Sequence, residues 1–180
     1  ILELLKAFKQ LVKDYKNIKL LVVGSRWYNL IAKDEYFEQL IGESKGYEDK
    51  VIFTGYVFPE DMPAIYTLGD VLVIPSMWEE PFGVVALEGM AMRTPIISTN
   101  SGGLVEVLDD ENAIIVDKNQ DVIIKLKKAM EYLLADNNKR KLLADNAYNK
   151  LINTKEFLKE EYYQVFKELI SCEKCNQKGS

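Results

Sequence analysis

Five short apolar runs, each separated from the next by a stretch of helical period, restrict this chain more than any other feature of its sequence. They are Lys19–Gly24 (Lys-Leu-Leu-Val-Val-Gly), Val51–Phe53, Val71–Ile74, Pro95–Ile97 and Ala113–Val116. A run such as Leu20–Val23, without polar alternation, reads as a strand buried on both faces. Strands alternating with helices require a parallel sheet with right-handed crossovers, and hence helices on both sides. The connecting helices are read at Lys33–Ser44, Asp61–Leu68, Val84–Met92, Gly103–Leu108 and Asp121–Leu134. Before the first strand, Leu2, Leu5, Phe8, Val12 and Tyr15 form one stripe of a helix over Ile1–Tyr15, and Asn138–Ile170 reads as helical throughout. The predicted class is α/β: one domain over residues 1–180 with a doubly wound parallel sheet, C-terminal helices and a polar tail from about residue 171.

Composition removes several functions. With 180 residues, 48% of them hydrophobic, the chain can bury one core, and its net charge of -5 with interspersed Lys and Arg offers no basic face for nucleic acid. There is no histidine, which excludes a Ser-His-Asp triad, a Cys-His pair and the usual zinc hydrolase sites. Cys172 and Cys175 form a lone CxxC in the polar tail, too few ligands for zinc. No apolar run reaches the roughly 20 residues that cross a bilayer, so a cytoplasmic protein is expected, with peripheral membrane association left open. A dinucleotide oxidoreductase is disfavoured because no G-x-G-x-x-G follows a strand.

In open α/β sheets ligands sit at the carboxyl ends of the strands. The loops to search are therefore Gly24–Tyr28, Gly55–Phe58, Pro75–Gly83 and Thr99–Gly103. The third, Pro75-Ser76-Met77-Trp78-Glu79-Glu80-Pro81-Phe82-Gly83, runs directly into the helix Val84-Val85-Ala86-Leu87-Glu88-Gly89-Met90. Gly83 lets a ligand approach the backbone, and the unpaired N–H groups of the first helical turn form an anion site. Glu88, about one turn in, can accept hydrogen bonds from a diol such as a ribose. Taken singly, Glu80 reads equally as a carboxylate favoured by the helix dipole and Glu88 as a solvated helix face. Trp78 and Phe82 fit core or rim packing as well as ligand contact, and Arg26 and Arg93 are open in direction.

The surrounding motifs shift that balance. Pro-Ser before the loop, Glu-Pro-Phe-Gly within it, Leu-Glu-Gly-Met on the helix, Thr-Pro-Ile-Ile on the next strand and Ser-Gly-Gly-Leu-Val-Glu after it resemble the Glu, seven residues, Glu region of retaining GT-B glycosyltransferases (group 1, family 4-like). Phe53-Thr54-Gly55-Tyr56-Val57 and Leu68-Gly69-Asp70 extend the likeness, which runs from about Leu20 to Val116 and more weakly beyond. The resemblance implies the Rossmann-like donor half of a GT-B fold, with a UDP-sugar or GDP-sugar as substrate and no metal or other cofactor. It implies that catalytic Glu80 touches donor-sugar hydroxyls and that Glu88 binds the ribose. Phe82, Gly83 and Val84 would lie along the sugar and diphosphate, and Val57 would meet the base. It further implies that Ser101, Gly102 and Gly103 shape the loop, with Glu106 a structural support.

Two departures qualify the likeness. Arg93 stands where the family usually has glycine, so the turn there must accept a side chain. The strand and basic Arg/Lys loop that normally open this domain are not found within residues 1–180, nor is the acceptor-binding N-terminal domain that would be its partner, and the gene is expected to encode that strand and loop before Ile1. A departing nucleoside diphosphate gains negative charge and needs fixed cations, so residues 1–180 alone are expected to be catalytically inert. A missing central strand is also expected to leave the strand Leu20–Val23 unpaired with Val71–Ile74. The rivals are a GT-B type epimerase or phosphorylase, and a non-catalytic nucleotide-binding module.

Overall fold

The computed structural model describes residues 1–24 and 35–154. In chain order the elements are α1 (Leu2–Asp14), β1 (Leu20–Val22), α2 (Glu35–Ser44), β2 (Val51–Phe53), a 3-10 turn (Pro59–Asp61), α3 (Met62–Leu68), β3 (Leu72–Ile74), α4 (Val84–Ala91), β4 (Ile96–Thr99), α5 (Leu104–Val107), β5 (Ala113–Val116), α6 (Val122–Ala135) and α7 (Asn137–Asn153). Every strand pair is parallel, in two sheets of order β1-β2 and β3-β4-β5. The Rossmann-like α/β class read from the sequence is the one observed.

Two apolar clusters cover opposite faces of β3-β4-β5, and the period of two along each strand divides them. Val71, Val73, Ile97, Ile114 and Val116 meet the cluster built on α1, α2 and α6, which holds Leu5, Phe8, Leu11, Leu40, Leu126 and Leu133. Leu72, Ile74, Ile96, Ala113 and Ile115 meet α4, α5 and α7 through Leu87, Met90, Leu104, Val107 and Leu151. Each large side chain fully buried this way contributes roughly 1.5–3 kcal/mol, which is why the runs lack polar alternation.

The pair β1-β2 differs from the expectation of a strand buried on both faces. Leu20, Val22, Val51 and Phe53 pack against the first cluster, but Leu21 is 37% and Ile52 41% exposed on the other side. Among the described residues no ladder joins β1 to β3.

The C-terminal reading is also corrected. Asp136 caps α7 by accepting the Lys139 N–H at 2.9 Å, but the helix stops at Asn153, and Thr154 is extended (φ -107, ψ 92). A β-branched residue gains little from continuing a helix. The rest of the helix expected to Ile170, Cys172 and Cys175, and Lys33, Asp34 and Arg26 at the other interval, lie outside the described residues. Among the described residues no helix is long and apolar enough to cross a membrane.

Candidate functional site

The loop between β3 and α4 begins when Pro75 ends the strand, since proline cannot continue a ladder. It closes on Gly83, whose φ of 86 and ψ of 48 lie in the left-handed region. A Cβ there would also stand 2.5 Å from Leu104 Cδ2, so two independent constraints select glycine. No side chain caps α4. The Ala86 N–H turns back to the Gly83 carbonyl at 2.9 Å, while the N–H groups of Val84 and Val85 find no backbone acceptor among the described residues. They are the positive end of the helix dipole, at the position expected of an anion site.

A second loop, following β4, holds the first in place. Thr99 Oγ1 donates to the Ser76 carbonyl at 2.6 Å, the Gly103 N–H to the Glu80 carbonyl at 2.7 Å, and the fully buried Ser101 hydroxyl to the Trp78 carbonyl. At Gly102 (φ 45) a Cβ would lie 2.2 Å from the Glu80 carbonyl oxygen, and at Gly103 one would lie 2.7 Å from Phe82 Cα. Ser101 therefore shapes the loop through its hydroxyl, and Gly102 and Gly103 through their backbone. Lys118, just after β5, adds a clamp: its ammonium reaches Glu79 Oε1 at 2.5 Å and Ser101 Oγ at 3.4 Å, and the Gly102 N–H donates to Glu79 Oε2 at 2.6 Å. The Lys118 hydrogen bond, then that of Gly102, holds the Glu79 carboxyl below its usual range.

These contacts leave a hollow of about 290 Å³ lined by Ile74, Glu80, Pro81, Phe82, Gly83, Val84, Val85 and Leu104. Its walls are mainly apolar and its polar groups few, which suits a small ligand held by a handful of directed contacts. Glu80 is fixed by Ser76, whose hydroxyl donates to Oε1 at 2.6 Å. Four of the residues singled out from the sequence, Glu80, Phe82, Gly83 and Val84, thus share one concavity.

Glu88 and Val57 are not among its walls. Glu88 lies one turn along α4 from Val84, with Oε2 accepting from the Tyr66 hydroxyl of α3 at 2.5 Å. Burial first, then the hydrogen bond and charge of Glu88, push the Tyr66 phenol well above its ordinary value. Val57 sits in the loop after β2, beside Tyr56 and Phe58, whose rings meet edge to face at 5.2 Å. That loop leads through the turn Pro59–Asp61 into α3, so Val57 and Tyr66 belong to one continuous segment.

Other candidates resolve into structure. Arg93 takes φ 52, stacks its guanidinium 3.7 Å above the Tyr148 ring and pairs with Asp145 at 2.6 Å. Its side chain therefore fastens the end of α4 to α7, away from the hollow. Trp78 is 60% exposed and is not among the residues lining the hollow. Glu106 does not match the supporting role expected of it: its side chain is exposed and makes no hydrogen bond or ion pair among the described residues. Sequence reasoning passed over Ser76, Tyr66 and Lys118. Only Ser76, four residues before Glu80 in the same loop, carried a local signal. Among the described residues no group of three or more His, Cys, Asp or Glu could hold a metal ion.

The family described as glycosyl transferases group 1 matches residues 1–150. Among curated proteins, the chain is 31% identical over 146 residues to spore coat protein SA of Bacillus subtilis, covering 78% of this chain and 37% of that protein. It is 30% identical over 152 residues to the lipopolysaccharide 1,2-N-acetylglucosaminetransferase of Salmonella typhimurium, covering 73% and 40%. The chain thus spans well under half the length of these relatives. Among solved structures, the C-terminal domain of a glycosyl transferase group 1 family protein from Francisella tularensis matches with a TM-score of 0.73 and 25% identity, over 85% of this chain and 77% of that one. An Anabaena protein in complex with UDP-glucose shares the fold at a TM-score of 0.75 and 22% identity, over 94% and 44%.

Proposed function

The chain belongs to the group 1 glycosyl transferases, and from that premise we propose that it is the donor-binding half of a retaining enzyme that moves a hexose from a nucleoside diphosphate sugar to an acceptor. The observation that carries the reading is the placement of Glu80 in one hollow with the uncapped start of α4. A nucleotide sugar is a sugar joined to a diphosphate. The hollow offers a carboxylate acceptor for sugar hydroxyls and, next to it, N–H donors for phosphate oxygens.

The chemistry follows from charge. As the bond between the anomeric carbon and the phosphate oxygen breaks, the nucleoside diphosphate takes the bonding electrons, the acceptor hydroxyl oxygen bonds to the anomeric carbon and its proton passes to the departing diphosphate. The N–H groups of Val84 and Val85, fixed before reaction, stabilise the departing phosphate, while Glu80 orients the sugar and favours positive charge growing at its ring. Glu80 is held for that task by Ser76 and by the backbone of Gly103. Glu88 meets the ribose, Val57 the base, and UDP and GDP are both compatible with the sites available.

A diphosphate carries more charge than two N–H groups neutralise, so the same reading assigns the remaining cations to a basic loop, and the acceptor to a partner domain, outside residues 1–180. A strand entering between β1 and β3 fits it, because neither of those edges is paired among the described residues. Residues 1–180 alone are then inert. The test is transfer by the full-length protein from a panel of UDP- and GDP-sugars. Glu80→Gln is expected to lower turnover and Glu88→Ala to weaken nucleotide binding, each by roughly 10 to 150-fold, the worth of a lost charge-assisted hydrogen bond. Wild-type kinetics in both variants would overturn the assignment; nucleotide binding without transfer from any donor would favour the non-catalytic module.

A further inference from the structure

Tyr66 is 6% exposed, and a phenol buried that deeply must find a partner for its hydroxyl. It has found a carboxylate, Glu88 Oε2 at 2.5 Å, with the O–H donating. Among the described residues no other group donates to the Glu88 side chain and no cation pairs with it, so Oε1 has no partner among them. Glu88 itself is only half-buried. One oxygen is held and the other is left as an acceptor.

The separation of the two groups is set by backbone. Thr94 Oγ1 donates to the Tyr66 carbonyl at 3.1 Å, and the Thr94 N–H donates to the Gly89 carbonyl at 3.0 Å, so one residue ties the end of α3 to the residue after Glu88. Gly89 in turn sets the depth of α4 on the sheet, where a Cβ would stand 2.5 Å from Leu72 Cδ2. A glutamate on a helix surface otherwise samples several rotamers, and ordering it for a ligand costs affinity.

We propose that Tyr66 is a positioning residue of the nucleotide site, gripping Glu88 Oε2 so that Oε1 is presented to the two ribose hydroxyls. The inference rests on the reading above that Glu88 meets the ribose. Because α3 continues from the loop that carries Val57, one segment keeps the ribose acceptor and the base contact in register.

The experiment is calorimetric titration of the full-length protein with UDP and GDP, and with their 2′,3′-dideoxy counterparts, in wild type, Tyr66→Phe, Glu88→Ala and the double variant. Tyr66→Phe keeps the ring and removes only the hydroxyl. It is expected to weaken the ribonucleotide that wild type binds by roughly 5 to 30-fold, to leave its dideoxy counterpart unchanged, and to add nothing when Glu88 is already alanine. A purely structural hydroxyl would weaken both nucleotides equally or neither, and either result overturns the proposal. If Glu88→Ala leaves ribonucleotide affinity unchanged, the ribose reading falls and the proposal with it. If Glu88→Ala weakens it and Tyr66→Phe does not, the proposal falls alone. Should Tyr66→Phe fail to fold, Thr94→Val releases the tie from Thr94 Oγ1 to the Tyr66 carbonyl without touching Glu88; a ribose-selective loss is again expected, and an equal loss for both nucleotides, or none, overturns the proposal.

Discussion

Replacing Gly103 with alanine isolates how much the site depends on two loops touching through their backbones. Gly103 has φ -63, so alanine meets no conformational penalty there, and any effect comes from the methyl group alone. That methyl would stand 2.7 Å from both Phe82 Cα and the Pro81 carbonyl oxygen, where ordinary contact begins near 3.4 Å. The loop carrying Glu80 must therefore retreat by about 0.7 Å, the difference of those distances. The 2.7 Å bond from the Gly103 N–H to the Glu80 carbonyl stretches with it. Overpacking costs roughly 1–3 kcal/mol and a weakened hydrogen bond about 0.5–1.5, offset by up to about 1 from the stiffer unfolded chain. The net loss is about 0.5–4.5 kcal/mol, a fall in Tm of roughly 1–18 °C for a chain of this size. On the proposed function, turnover of the full-length protein should fall further than stability suggests, because displacing a positioned group by 1 Å can cost about 100-fold. Circular dichroism melts and steady-state transfer rates read the two effects. Gly42→Ala is the control: it lies within α2, where a Cβ meets nothing within 4 Å, and it should stabilise by about 0.5–1 kcal/mol. A Gly103→Ala protein with wild-type Tm and rate would refute the reasoning.

Two further substitutions test the periphery. Arg93→Ala keeps a left-handed residue and loses both the Tyr148 stack and the Asp145 pair, for an expected loss of about 1–2 kcal/mol by thermal melt, whereas Arg93→Gly also relieves the backbone and should melt roughly 2–4 °C above the alanine variant; equal melting temperatures would show that the left-handed turn carries no cost. At Asp109 burial works to raise the carboxyl, but the Lys150 ammonium at 2.7 Å and the Glu111 N–H at 3.0 Å outweigh it and hold it below its ordinary value of 3.8. A depressed folded value means that its stabilisation is complete above pH 3.8 and disappears as pH falls through the folded value; with the carboxyl about half exposed, that is a few tenths of a kcal/mol. Asp109→Asn should therefore flatten the acid limb of a Tm-against-pH curve slightly below about pH 4 and lower Tm at neutral pH; an unchanged acid limb would discount the Lys150 contact.

Much of this architecture was legible because it depends on period and punctuation. The strand runs around Ile97 and Ile114 are apolar on both faces since clusters lie on both sides of them, and Gly83 marks a left-handed turn that few other residues could make. Glu80, Phe82, Gly83 and Val84 were found together because they are contiguous, and contiguity survives folding. Tyr66 was missed because it is 22 residues from Glu88, and an aromatic residue on a seven-residue helix looks like packing until its hydroxyl is placed. Lys118 was missed for the same reason at a separation of 39 from Glu79. The direction of Arg93 depends on where α7 crosses, and the exposed face of Leu21 and Ile52 on which strands are neighbours. Neither is a local property.

The break between the two sheets bears on how the molecule breathes. Ladder hydrogen bonds couple adjacent strands into one opening unit, whereas among the described residues of this chain β1-β2 meets the β3-β4-β5 body through side chains of the first cluster. Amide exchange at Leu21 and Ile52 should thus be much faster than at Ile97 and Ser98, which are bonded on both sides and fully buried. Val57 hangs from the faster unit, while Glu80 and Glu88 belong to the slower one. A ligand spanning all three would staple the seam, and its first signature would be slowed exchange in β1-β2, well away from the chemistry.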